Sequence, residues 1–224
     1  MRRPLALIPL ALLLAGTAGA AENGPALYDR LAAPAAAGEC YAVDIDLAGR
    51  DTLAVEAPED GRPAGYRLHY DDIAEGWSWR DVPAAGETDY YRYKSLPLGS
   101  RSEKRGEYQA EDQIGELQTM NVVWRYDYYL AFADPARLAG EADDAGGHFA
   151  APAKTPPEAL RVVARVCPDA PATRESRTFW KATHGTPVDF TLKKRYLVGQ
   201  LQRIEFVDSR NGEVIAAVPA ATTP

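Results

Sequence analysis

From Leu117 to Phe132 the chain alternates without a break. Met120, Val122, Trp124, Tyr126, Tyr128, Leu130 and Phe132 share one parity, and Thr119, Asn121, Val123, Arg125, Asp127, Tyr129 and Ala131 the other. A period of two belongs to a strand; wound as a helix, the same residues would scatter their apolar groups around the whole circumference. Sixteen residues exceed the usual strand of five or six, so a bulge or a strong bend is expected. Two β-rich segments precede this run, Thr88–Leu96 (TDYYRYKSL) and Arg105–Asp112, with Gln113-Ile114-Gly115-Glu116 as a tight turn. The three segments predict an antiparallel meander over about 88–132, with a polar loop between its first two strands.

The same period recurs elsewhere. Tyr41, Val43, Ile45 and Leu47 alternate with Ala42, Asp44 and Asp46, which predicts a half-buried strand with one apolar and one acidic face. Thr52–Ala57, Tyr66–Tyr70, Ala159–Cys167, Thr178–Thr183, Val188–Leu192, Tyr196–Asp208 and Glu213–Val218 are further strand candidates. Asn211-Gly212 supplies the backbone freedom that a hairpin turn requires between the last two. Helix is expected over a short segment, Ala26–Leu31, ended by Pro34, with a helical turn at Asp134–Ala139; the alanines of Ala159–Cys167 also allow helix, but its Val and Arg content favours strand.

Some eight short strands and little helix predict a mainly β fold, a single antiparallel sandwich or partly open barrel. With 46% hydrophobic and 25% charged residues, the chain is an ordinary globular one rather than a disordered one. The expected organisation is a leader over 1–20, a lead-in with the short helix over 21–38 and one β-rich domain over 39–218. Within that domain 141–157 is expected as a mobile loop, because it lacks periodicity, and 219–224 as a disordered tail.

Residues 1–20 have the build of a secretory leader: Arg2 and Arg3, an apolar stretch Leu5–Gly16, then Ala18-Gly19-Ala20. Cleavage is expected between Ala20 and Ala21, and the apolar stretch is too short for a transmembrane helix of ~20 residues. No transmembrane anchor is therefore expected after cleavage. The two arginines leave with the leader, which takes the net charge from -7 to -9. Export predicts a bacterial periplasmic protein, with full secretion as the alternative. In an oxidising compartment, Cys40 and Cys167 are expected to pair. A bridge across 127 residues stabilises a fold by roughly 4–5 kcal/mol through chain entropy.

The acidic balance, 25 Lys+Arg against 32 Asp+Glu, lacks the electrostatic footprint of a nucleic-acid binder. Fingerprints of lipases, phosphate-binding loops, zinc proteases and EF-hands are absent from the sequence, and no catalytic residue or cofactor is expected. His69 and Asp71, with Asp72 behind, would share a strand face about 7 Å apart, the spacing of a metal pair or an acid–base pair. His184 and His148 are the remaining histidines that could complete a metal site. A polar strand face running into a turn explains the same residues.

Aromatic and basic side chains are more informative. Gly76-Trp77-Ser78-Trp79-Arg80 sets two indoles on one face if extended, with Arg80 beside them, a possible platform for stacking on a sugar. Most other rings, Trp124 above all, are expected in the core. Arg101, Lys104 and Arg105 form a basic cluster in the expected meander loop, and Lys193-Lys194-Arg195 a second near the C-terminal strands. Either could meet a phosphate, an acidic glycan or an acidic partner. The resulting expectation is an exported, non-catalytic module that binds or helps assemble another envelope component, a protein or a glycan. A carbohydrate- or cell-wall-binding domain is the first alternative. A hydrolase or metalloenzyme using His69 and Asp71 is the second.

Overall fold

A computed structural model describes residues 21–32, 39–48, 52–56, 65–69, 71–73, 93–111, 115–133, 141–143, 146–149, 155–183 and 185–219. The chain is mainly β. Helix α1 (Gly24–Leu31) is followed by strands β1 (Tyr41–Asp44), β2 (Leu53–Glu56), β3 (Gly65–His69), β4 (Asp71–Asp72), β5 (Tyr93–Glu111) and β6 (Leu117–Ala133). Strands β7 (Glu141–Asp143), β8 (Gly146–Phe149), β9 (Leu160–Trp180), β10 (Val188–Asp208) and β11 (Val214–Pro219) follow among the described residues, with a 3-10 turn at Pro157–Ala159.

These strands form two open sheets. The larger runs β1-β9-β10-β6-β5-β4, with β11 also paired to β10; the smaller runs β2-β3-β8-β7. Among the described residues the pairings between these strands are antiparallel except one: β10 lies parallel to β6 from Val188↔Asn121 to Gly199↔Phe132. Two long hairpins, β5/β6 and β9/β10, are thereby zipped side by side with both turns at the same end.

Where the strands were expected short, they are long. Within the described residues, the first two strands of the expected meander are one continuous strand, β5, which pairs with β6 from Tyr93↔Ala133 to Glu111↔Leu117; residues 88–92 and 112 lie outside the described residues. The polar loop that was to hold Arg101, Lys104 and Arg105 is thus strand. Its polarity reflects solvent on the sheet faces and not a break in pairing, and register shifts at Pro97/Gly99 and Lys104/Gly106 absorb the twist. In the same way Ala159–Cys167 and Thr178–Thr183 merge into β9, and Val188–Leu192 and Tyr196–Asp208 into β10. Pro168 and Pro171 are tolerated in β9 because its pairing with β10 skips from Pro168↔Gly199 to Thr173↔Leu197, and a residue without an N–H fits where the ladder is interrupted. The segment expected as a mobile loop, 141–157, contains β7 and β8.

The core explains the base of these strands. On one face of β6, Tyr126, Tyr128, Leu130 and Phe132 pack with Leu96, Leu98, Val162, Val166, Leu197, Ile204 and Phe206, and with Leu68 from the smaller sheet. On the other face Tyr129 and Ala131 join Ile73, Tyr196 and Val198 in a second cluster. Helix α1 closes the first cluster with Leu27, Tyr28 and Leu31. Its start is set by Asn23, whose side chain accepts the Ala26 N–H at 3.0 Å. Cys40 and Cys167 are disulfide-bonded, and the register makes this natural: Tyr41 pairs with Val166, so the next residues across the ladder are the two cysteines.

Candidate functional site

Beyond the core the four central strands continue. From Tyr128 to Leu117 is eleven residues, roughly 35 Å of strand at ~3.3 Å per residue, and most of the side chains along it reach solvent. This extension is a four-stranded arm. Its outer strands, β5 beyond Ser100 and β9 beyond Thr173, have no strand partner on their outer edges among the described residues. Charged residues such as Lys104, Glu107, Glu175 and Arg177 occupy those edges, which discourages indiscriminate strand addition.

One face of the arm carries a concentrated site. Strand β6 contributes a ring at every second residue, Trp124, Tyr126 and Tyr128. Cross-strand register sets Glu103 opposite Trp124 and Arg101 opposite Tyr126 on one side, and Lys193 opposite Tyr126 and Arg195 opposite Tyr128 on the other. Strand β9 adds Arg177 opposite Lys193 and Glu175 opposite Arg195. The bulge between Lys104 and Gly106 brings Arg105 onto the same face, its guanidinium 4.7 Å from the Trp124 ring centre. Directly paired residues share a face, so these side chains converge by pairing alone.

The result is a layer of cations over a row of rings. Arg101 lies 4.8 Å from the Tyr126 ring centre, Arg195 4.6 Å from the same ring and 5.0 Å from Tyr28, and Lys193 4.8 Å from Trp124. Arg177 stands 5.7 Å from Trp124. Each such contact contributes about 0.5–1 kcal/mol when exposed. Together they bury Tyr126 to 5% exposure, although it lies at the outer limit of the apolar core.

Two carboxylates are threaded through the layer. Glu175 accepts from Arg195 at 2.8 Å and pairs with Lys193 at 3.0 Å. Burial pushes the Glu175 carboxyl up, but hydrogen bonds from Arg195 and Lys193 outweigh it and hold it below the usual range. Glu103 accepts the Tyr126 hydroxyl at 2.8 Å and Arg105 at 3.1 Å. The tyrosine hydrogen bond chiefly, then the neighbouring arginines, lowers its carboxyl as well. Arg101 and Arg177 differ from the rest: among the described residues neither has an ion-pair or hydrogen-bond partner for its guanidinium. Lys193 and Arg177 face one another as like charges in adjacent strands, and Glu175 offsets the pair through Lys193 at 3.0 Å.

The two basic clusters seen separately in sequence therefore meet, but not whole. Arg101 and Arg105 join Lys193 and Arg195. Lys104 falls on the opposite face, 2.5 Å from Glu107, and Lys194 has the parity of that face too. Tyr28, Glu175 and Arg177 were not singled out in the sequence; the alternation of Glu175, Arg177 and Phe179 with Arg174, Ser176 and Thr178 is the signal that marks their strand. Trp124, expected in the core, is half-buried beneath the cations.

Trp77, Trp79 and Arg80 lie outside the described residues, as do His184 and the Ala20 side of the expected cleavage point; Ala21 is the first residue described. His69 ends β3 in the smaller sheet, whereas Asp71 begins β4 in the larger one. The expected single strand face for this pair is therefore corrected: the chain changes sheets between them. His148 lies in β8 opposite Arg67. No cluster of three or more His, Cys, Asp or Glu side chains suited to a metal occurs among the described residues. On the opposite face, at the base of the arm, a cleft of about 220 Å³ is lined by Asp46, Ser100, Arg125, Asp127 and Tyr129 among others. Its main charges are already paired, Arg125 to Asp127 at 2.7 Å. Comparison with known proteins finds no match: no protein family, curated protein or solved structure resembles this chain.

Proposed function

We propose that this chain is an exported, non-catalytic binding module of the bacterial envelope, acting in the periplasm, and that the four-stranded arm is its contact element. The observation that carries this reading is the length of the strands. Strands β5, β6, β9 and β10 run for 17 to 21 residues, although apolar packing of their lower parts would suffice for a core. The additional length presents charged and aromatic side chains, including Tyr108, Phe179 and Trp180 at 38%, 53% and 49% exposure. Exposed rings of this size commonly mark contact surfaces.

The test is photo-crosslinking in the cells that make the protein. A photoreactive amino acid replaces Phe179 on the arm or, as the comparison, Gln202 on the base. Discrete adducts from position 179 with few from 202, in the envelope fraction, are the expected result. Adducts from the base alone, or from neither position, would refute the arm as the contact element.

A further inference from the structure

The strip of cations and rings allows the ligand to be named by class, and this step rests on the binding-module reading. We infer that the arm binds an acidic polysaccharide, one that carries carboxylate or sulfate groups among free hydroxyls, across the row Arg101–Tyr126–Lys193–Arg177.

The inference begins with what the guanidiniums over the rings leave open. A guanidinium lying over an aromatic ring uses its face, while its N–H groups radiate in its plane and remain able to grip an oxyanion with two parallel hydrogen bonds. The Arg101 guanidinium lies 4.8 Å from the Tyr126 ring centre and that of Arg177 5.7 Å from the Trp124 ring centre, and neither holds a carboxylate among the described residues. They stand at opposite ends of one transverse row, on the two outer strands, with Tyr126 and Lys193 between them. Their backbones are three strand spacings apart, roughly 15 Å, while their guanidiniums lean inward over neighbouring rings of β6 whose centres are 6.3 Å apart. Each guanidinium can take an oxyanion of its own, so a ligand with more than one anionic group satisfies both.

The groups between and beside the two arginines decide what kind of polymer. The Glu103 and Glu175 carboxylates accept hydrogen bonds only, and each keeps lone pairs beyond its protein partners. They would repel a continuous run of phosphates, as in a nucleic acid or a polyphosphate. They would instead accept from sugar hydroxyls lying between spaced anions. The rings contribute as supports for the cations rather than as stacking platforms, because Tyr126 is covered. A sheet face also suits a chain laid across it better than a small molecule that must be enclosed.

Binding of the mature protein to polygalacturonate, neutral dextran and polyphosphate by titration calorimetry tests this. The variants are R101Q/R177Q and, as a control with the same change of charge, K104Q/R203Q; thermal unfolding confirms that both fold. Polygalacturonate is expected to bind the native chain, dextran not to bind, and R101Q/R177Q to weaken affinity by about tenfold or more, the loss of two charge-assisted contacts. The control is expected to stay within about twofold. No binding of polygalacturonate, an equal loss in both variants, or polyphosphate bound as tightly as the glycan would each overturn the assignment. Arm crosslinks that persist when no acidic glycan binds would overturn the ligand class and leave the binding module standing; absence of both would remove the two together.

Discussion

Tyr41 holds the one buried side-chain polar atom among the described residues without a hydrogen-bond partner, its hydroxyl. Burial, with the Asp169 charge second, pushes that hydroxyl's pKa well up and keeps it neutral. The aromatic body is needed in the core, whereas the oxygen costs desolvation and gains nothing within the protein. Tyr41→Phe is therefore expected to leave stability unchanged or raise it by about 1 kcal/mol. Urea unfolding checks this, and a marked loss would mean that the oxygen has a partner. Gly199 shows the opposite kind of constraint: a Cβ there would stand 2.6 Å from the Cys167 carbonyl oxygen, so the close approach of β9 and β10 beside the disulfide requires a residue without a side chain.

At the scale of elements, the β10/β11 hairpin combines a backbone signal with an electrostatic one. Of the Asn211-Gly212 pair that announced the turn, the glycine adopts a positive φ of 75°. Asp208 opens the turn and accepts from the Arg210 backbone N–H at 2.9 Å and from its guanidinium at 2.9 and 2.6 Å. The Arg210 side chain first, and its N–H second, hold the Asp208 carboxyl down to about 2. A carboxyl whose pKa is lowered by folding contributes stability above its unfolded value, about 3.9, and loses it as pH falls through the folded value. The contribution of Asp208 is thus complete above about pH 4 and disappears towards pH 2; Glu103, Glu107 and Glu175 are shifted in the same direction. Arg210→Ala is expected to be less stable than the native chain at pH 6 and to show a shallower loss between pH 4 and 2. Denaturant midpoints across that range measure it, and parallel curves would refute the assignment.

At the scale of the whole molecule, the Cys40–Cys167 bond joins β1, beside the N-terminal helix, to β9 across 127 residues. That span contains β1 to β8, so the bond restricts the unfolded chain over most of the fold. Replacing both cysteines by serine is expected to cost about 3–5 kcal/mol without removing the fold, in proportion to the chain entropy released. Unfolding of the C40S/C167S variant by urea measures this; a difference below about 1 kcal/mol would show that the unfolded state is already restricted by other means.

What the sequence determined by itself follows from local period and spacing. The alternation through Leu117–Phe132 identified β6 and its two faces, Asn211-Gly212 identified the last hairpin, and two lone cysteines identified the bridge. These survive because side-chain parity, turn geometry and the scarcity of thiols do not depend on distant neighbours. Tertiary structure alone decided the rest. A solvent-facing strand and a polar loop have the same composition, so Arg101–Arg105 could not be placed in β5 before its pairing with β6 was known. Parallel pairing of β6 with β10, between segments some seventy residues apart, has no local signature, yet it brings Lys193 and Arg195 over Tyr126. Parity then divides each basic run between two faces, and only the register tells which half of each run meets the other.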